Sequence, residues 1–333
     1  MKPIHLTFLS QREVIDCMPL REASKIVETV LKEHGAGRFE NPPKPGIHPL
    51  TDAFIHAMPA YLSRLNIGGM KWVSGFSSNP KNGLPMITGV IVLNDMQTGF
   101  PIAAMDGGYV TAIRTAAVSG VAARYLARKD TAMLGLVGAG VQGRYHLLVL
   151  KDILKNLETV CVYDANPAIL DRFVSSMSKM VPFDIRKAAS PEEAIRGADV
   201  VITATGVLGK PIFKEAWIKK EGALVLPVHS KGWESKALRS ADKFLCDDYQ
   251  QFTTVLGHPG GYYWPIPKLH AQLGEVVLGK KPGRQNERER IVDINFGMAI
   301  HDIAIATEVL KRAKRKGYGK TMTLVDNEMP FMQ

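Results

Sequence analysis

The sequence is poor in cysteine, modest in aromatic residues, short of acid relative to base, and without a long apolar run. Its three cysteines, Cys17, Cys161 and Cys246, are odd in number and far apart. That excludes a disulfide framework, and no metal-type Cys/His spacing accompanies them, so no metal site is expected. A reducing cytoplasm suits such thiols. No stretch approaches the ~18–20 consecutive apolar residues that a membrane span needs. The opening residues, 1–16, hold one early lysine but no apolar core or small-residue cleavage site, and no signal peptide is expected. Lys and Arg number 42 against 32 Asp and Glu, a formal charge of +10. A basic balance favours phosphate or carboxylate ligands. Much of the excess sits in residues 280–290 and 311–320. No stacking aromatics or groove-reading motif accompanies it, so a nucleic-acid partner is not expected.

What is present falls into two patterns. Ser10-Gln11-Arg12-Glu13 has capping-box spacing at a helix start. A longer helix follows Pro19, with Leu20, Ala23, Val27, Val30 and Leu31 on one face and Gly35 and Gly37 at its end. Residues 41–49 form a proline-rich loop carrying Lys44. Between Ile67 and Met105 the period shortens: residues 70–73, 87–93 and 100–104 read as an antiparallel meander with a turn at 94–99. Residues 109–127 read as a helix with Thr111, Arg114, Thr115 and Val118 on one stripe.

From Thr131 short apolar strands alternate with helices. The strands are residues 133–137, 159–163, 183–187, 200–204, 224–226 and 244–246. Six such strands imply an α/β fold with a doubly wound parallel sheet. Residues 300–316 form a closing helix that returns to the first domain. The expected organisation is a nucleotide-binding Rossmann domain at 129–299 and an α+β domain built from 1–128 and 300–333.

The first strand of the parallel set runs into Gly138-Ala139-Gly140-Val141-Gln142-Gly143 and a helix. Gly138 permits the tight turn, Gly140 lets backbone approach a pyrophosphate, and Gly143 lets helix and strand pack closely. The helix start offers unpaired N–H groups and a partial positive charge to phosphate. Asp164 closes the second strand, where a carboxylate accepts ribose hydroxyls. It would repel a 2′-phosphate, so NAD is favoured over NADP; Arg172, eight residues on, weakens that preference. Gln142 is either a phosphate contact or a surface residue. Thr205, after the fourth strand, is either a cofactor contact or a turn-capping hydroxyl.

Two cations interrupt apolar surroundings: Lys71 in Met70-Lys71-Trp72-Val73 and Arg114 in the helix of residues 109–127. A buried charge must be paired or liganded. Arg114 offers a planar fork that matches a carboxylate, and Lys71 a point charge or a proton relay. The structural alternative is an internal ion pair with Asp95 or Asp106, or snorkelling to the surface.

At these residues the sequence resembles the ornithine cyclodeaminase/μ-crystallin family. The resemblance rests on Lys71-Trp72-Val73-Ser74-Gly75, Gly83-Leu84-Pro85, Thr98-Gly99-Phe100-Pro101, Asp106 and Thr111-Ala112-Ile113-Arg114-Thr115-Ala116-Ala117. The glycine loop and residues 273–276 and 279–284 extend it, covering about 59–302. The resemblance implies a homodimer, an amino acid or imino acid substrate, and hydride transfer with a nicotinamide. It implies that Arg114 and Lys71 hold the substrate carboxylate, with Lys71 assisting proton transfer. Lys44 falls near a family arginine with the same task, and Asn295 and Thr115 near the cofactor.

The departures bear on substrate. Two acids that handle a distal amine in ornithine cyclodeaminase align near His56 and near His229-Ser230-Lys231, where this chain has no acid. An ammonium side chain is therefore disfavoured, and an apolar or acidic one favoured. Three readings stay open: amino acid dehydrogenase or imine reductase; ornithine cyclodeaminase, releasing ammonia without net change in NADH; and a nicotinamide-dependent binding protein without turnover.

Overall fold

The computed structural model describes residues 3–326 apart from Val207 and Ser230. The chain opens with strand β1 (Ile4–Leu9) and helices α1 (Gln11–Cys17) and α2 (Leu20–Gly35). Strands β2 (Gly46–Ile47), β3 (Ala53–Leu62), β4 (Ile67–Phe76), β5 (Ile87–Asn94) and β6 (Pro101–Asp106) lead to helix α3 (Gly108–Leu126). Alternating elements follow: β7 (Met133–Val137), α4 (Val141–Leu150), β8 (Thr159–Tyr163), α5 (Pro167–Met177), β9 (Asp184–Lys187), α6 (Pro191–Ile195), β10 (Val200–Thr203) and β11 (Leu224–Pro227). Then come α7 (Ser235–Arg239), β12 (Lys243–Cys246), α8 (Tyr249–Val255), β13 (Leu269–Gln272), α9 (Leu273–Val277) and β14 (Ile291–Ile294). Helix α10 (Ala299–Lys316) and strand β15 (Lys320–Val325) close the described chain.

These elements divide into two compact bodies. One holds residues 3–33, 38–114 and 298–326, and the other residues 34–37 and 115–297. The first contains a mixed seven-stranded sheet ordered β15-β1-β6-β5-β4-β3-β2. Its meander β3-β4-β5-β6 is antiparallel, β1 joins β6 in parallel, and β15 joins β1 antiparallel. Helix α10 packs on β3, β4 and β5. The second contains an eight-stranded parallel sheet ordered β13-β12-β14-β11-β10-β7-β8-β9. Beyond the six expected strands it gains β13 and β14, four residues each, too short to show a period. Beyond the expected meander the first sheet gains β1, β2, β3 and β15.

Alternation along each strand sorts the first sheet into two faces. Pairing aligns Met58, Lys71, Ile91, Met105 and Leu9 in one row across β3, β4, β5, β6 and β1. All five are buried, on the face that α10 covers. The opposite face carries Trp72 and Val90 as direct neighbours, with Phe8 and Met322 nearby, all four more than 40% exposed. Among the described residues no helix is long and apolar enough to cross a membrane.

Candidate active site

Strand β4 turns Lys71 into the helix-covered face, and the flanking apolar row strips it of water: its side chain is fully buried. The first turn of α10 supplies the counter-charge. Lys71 Nζ lies 2.7 Å from Asp302 Oδ2 and 3.3 Å from Thr111 Oγ1. Thr111 in turn donates to the Gly107 carbonyl, 2.7 Å away. Three residues further along α3, Arg114 places Nε 3.3 Å from Asp302 Oδ1. That approach is an ion pair without alignment: neither Arg114 Nε nor Asp302 Oδ1 makes a hydrogen bond. The buried Asn41 accepts the Ala299 N–H with Oδ1 (2.8 Å), fixing the start of α10. Asp302, near the positive end of that helix, gains further stabilisation.

Burial pushes the Lys71 ammonium down to about 8, opposed by Asp302 and reinforced by Arg114. Burial pushes the Asp302 carboxyl up, but Lys71 and Arg114 outweigh it and hold it below its ordinary value. The expected ion pair is therefore real, with a partner other than Asp95 or Asp106. Asp95 accepts N–H and O–H bonds within its own turn. Asp106 accepts the Gly108 and Tyr109 N–H groups at the start of α3. The signal that would have found Asp302 is an acid inside an apolar stripe, between Ile300 and Ile303.

His56 shares the face of Lys71, opposite Val73 on β4 and Gly46 on β2. Its ring stacks on Phe54 at 4.5 Å and meets His48 edge-on at 5.8 Å. Gly46 is needed there, because a Cβ would sit 2.2 Å from His56 Cδ2. Burial, then Lys44, His48 and Lys71, lower the His56 imidazole to about 4. It is neutral at pH 7, which suits it to donate one N–H and not to deliver a proton.

The glycine loop, in the second body, has the geometry of a phosphate cradle. Gly138 has φ +108°, and a Cβ on it would lie 2.4 Å from the Ala204 carbonyl. A Cβ on Gly143 would lie 2.2 Å from the Gly138 carbonyl. Gly140, at the N-cap of α4, instead opens onto free space, and no side chain caps that helix. Its leading N–H groups are thus available to an anion. Asp164 is tied to this loop, accepting the Ala139 N–H (2.8 Å) and the Asn166 N–H (2.9 Å). Val141 is exposed, and Gln142 Oε1 is buried without a hydrogen bond. Thr205 borders the turn, its N 3.2 Å from a Cβ placed on Gly138. These groups fit a dinucleotide.

Asn295 lies apart from that cradle in the sheet order. Asn295 follows β14, which β11 and β10 separate from β7. Its Nδ2 donates to the fully buried Asp293 (2.8 Å). Burial raises the Asp293 carboxyl to about 7, with that hydrogen bond opposing and Asp247 adding to the shift. Thr115 is half-buried, next to Arg114 in the chain. After β11, the half-buried His229 stacks on Phe213, and loss of water around its ring lowers it to about 4. Lys231 reaches the Tyr262 ring, and Ser230 lies outside the described residues.

With this geometry in view, known proteins can be set beside the chain. The nodulation efficiency protein NfeD of Rhizobium meliloti is 41% identical over 94% of this chain and 97% of its own length. The Δ1-pyrroline-2-carboxylate reductase of Thermococcus litoralis, solved with NADH and L-proline, superposes with a TM-score of 0.86. It is 33% identical, covering 94% of this chain and 99% of that one. An archaeal alanine dehydrogenase dimer with bound NAD superposes at 0.85, with 31% identity, covering 97% of this chain and all of that one. The profile of the ornithine cyclodeaminase/mu-crystallin family matches residues 5–317. The chain belongs to the ornithine cyclodeaminase/mu-crystallin family.

Proposed function

We propose that the protein is an NAD-dependent oxidoreductase that moves a hydride between nicotinamide and the α-carbon of an amino acid or imino acid. The observation that carries this reading is the buried cluster of Lys71, Arg114 and Asp302. Two cations share one carboxylate there, and Arg114 Nε has no hydrogen bond. A substrate carboxylate answers that surplus, accepting from the guanidinium fork and from Lys71.

Lysine has three N–H donors, and Asp302 and Thr111 take two of them. The third serves the substrate. Held to about 8, the Lys71 ammonium is matched to giving its proton to the substrate nitrogen near neutral pH. Asp302 keeps that ammonium charged and aimed. Bound nicotinamide supplies the hydride. Net reduction joins one imine, one hydride and one proton into an amine; oxidation is the reverse.

Gly140, the start of α4 and Asp164 would hold the dinucleotide, with Asp164 favouring NAD over NADP. The NAD-bound and NADH-bound relatives support the same choice. Lys44 and His56 line the substrate side. Ornithine cyclodeamination is the weaker reading, because His56, with Lys44 and Lys71 bearing on it, stands where a distal-amine acid aligns. A homodimer is supported by the apolar outer face of the seven-stranded sheet and by the dimeric alanine dehydrogenase relative. We place the protein in the cytoplasm, where its three free, buried thiols fit.

The test is NADH oxidation by purified protein across 2-oxo acids with ammonia or methylamine, and cyclic imines. Arg114→Ala should abolish turnover while NADH still binds. Unchanged turnover in that variant removes the carboxylate assignment.

A further inference from the structure

We propose that Asp293 is a positioning residue for the cofactor: it holds the Asn295 amide so that Asn295 Oδ1 accepts an N–H of the nicotinamide carboxamide. This rests on the reading of the glycine loop as a dinucleotide cradle and adds a residue that the loop's motif does not contain.

Sheet order assigns the two ends of the cofactor. A doubly wound sheet consists of two mononucleotide-binding halves, and the ligand lies outside the carboxyl ends of the strands. Asp164, just after β8 and tied to the glycine loop, gives the adenosine side to the half that holds β7, β8 and β9. The nicotinamide then falls to the other half, where β10, β11 and β14 stand in that half of the order. Asn295 is the first residue beyond the carboxyl end of β14.

Local geometry fixes the amide. Side chains alternate along a strand: Val292 and Ile294 enter the core on one face of β14, and Asp293 turns to the other. Asp293 is fully buried, and its Oδ2 accepts from Asn295 Nδ2 (2.8 Å). The backbone just beyond is clamped separately. Asp247 accepts the Phe296 N–H (2.9 Å) and the Gly297 N–H (2.5 Å), and Gln251 Nε2 donates to the Gly297 carbonyl (3.2 Å). With that backbone held, the bond to Asp293 decides which end of the amide is left over. It is Asn295 Oδ1, buried and without a hydrogen bond among the described residues. A buried acceptor without a partner is costly, and a ligand N–H placed on it recovers the loss. The carboxamide carries such donors on a planar group.

Packing does not account for Asp293, since an apolar side chain would fill a strand interior without the cost of a buried acid. Its Oδ1 makes no hydrogen bond among the described residues, so the bond to Asn295 is what this acid supplies. Burial raises its carboxyl to about 7, with Asn295 opposing and Asp247 adding to the shift. The strand therefore holds it near neutral pH with part of a full charge.

The experiment titrates purified protein, by calorimetry, with NADH and with reduced 3-acetylpyridine adenine dinucleotide, in which a methyl group replaces the carboxamide nitrogen. The parent should bind NADH about five- to tenfold more tightly, the loss expected when a buried acceptor misses its donor. Asn295→Ala and Asp293→Leu should bring that ratio close to one. Asp293→Asn, whose amide oxygen still accepts from Asn295, should keep it. A merely structural role would weaken both dinucleotides alike and leave the ratio where it was. A parent ratio near one, a ratio unmoved in Asn295→Ala or in folded Asp293→Leu, or a ratio lost in Asp293→Asn overturns the inference and leaves the glycine-loop cradle standing. If Asp293→Leu does not fold, the other two variants decide. A parent that binds neither dinucleotide removes the cradle itself.

Discussion

Asp302→Asn separates the roles of charge and shape in the buried cluster. The amide keeps the size of the carboxylate and removes the negative charge that faces Lys71 at 2.7 Å and Arg114 at 3.3 Å. At an effective dielectric of about 20, each attraction is worth roughly 5 kcal/mol before desolvation is counted. Lys71 has an escape, because it can enter the fold neutral. In the native protein its ammonium is already depressed from 10.5 to about 8. Without Asp302 it should fall below 7, and Lys71 would be uncharged at pH 7. Breaking a buried pair in this way destabilises by about 3–5 kcal/mol. The kinetic sign follows from the proton-donor role: the active form is the ammonium, present below its pKa and lost above it. Imine reduction by the native enzyme should therefore decline as pH rises through about 8. In the variant that limb should move to below 7, with kcat/KM at pH 7 down by about twofold or more. Rate–pH profiles and thermal unfolding of both proteins measure this. A limb that stays near 8 in Asp302→Asn, or a variant as stable as the parent, would refute the reasoning.

Two further substitutions probe the other surfaces. Gly140 has φ −78° and open space where a side chain would stand. Gly140→Ala should fold with little change in melting temperature, yet weaken NADH by about tenfold or more, since its methyl occupies the pyrophosphate approach. A fluorescence titration reads this, and unaltered affinity would place the dinucleotide elsewhere. Trp72→Arg puts a charge on the exposed apolar sheet face. Sedimentation should then find monomer where the parent is dimeric; a dimer that survives would locate the interface on another surface.

The nucleotide fold was readable because its glycines answer local steric demands. Gly143 sits where a Cβ would strike the Gly138 carbonyl of the same turn, and Gly138 has the positive φ that the turn requires; such demands leave a mark over a few residues. The capping box at Ser10 and Glu13 was readable for the same reason. Strand β1 was not. It alternates weakly, and its partners β6 and β15 lie about a hundred and about three hundred residues away. Strand β3 carries Pro59 and follows a proline-rich loop, which hides its period. In the centre, Lys71 and Arg114 were legible as charges in apolar company. Their shared partner was not, because Asp302 stands 231 residues from Lys71 and no local pattern links them. His56 was visible as a position, but its neutrality depends on burial and on Lys44, His48 and Lys71 around it.

Helix α10, the last helix among the described residues, sets a schedule for biosynthesis. Lys71 leaves the ribosome 231 residues ahead of Asp302. At ordinary translation speeds of about 5–20 residues per second, that is a wait of roughly ten to fifty seconds. Throughout it, the inner surface of the seven-stranded sheet has neither its cover nor its anion, and β1 lacks its outer neighbour β15. The parallel-sheet body meanwhile has all its strands before α10 begins. A nascent chain would thus present a finished cofactor domain tethered to an open, sticky one. Chaperones and proteases would meet the mixed-sheet half far more often than the other, and a prematurely terminated polypeptide ending before Asp302 would carry the glycine loop while Lys71 lacked its anion.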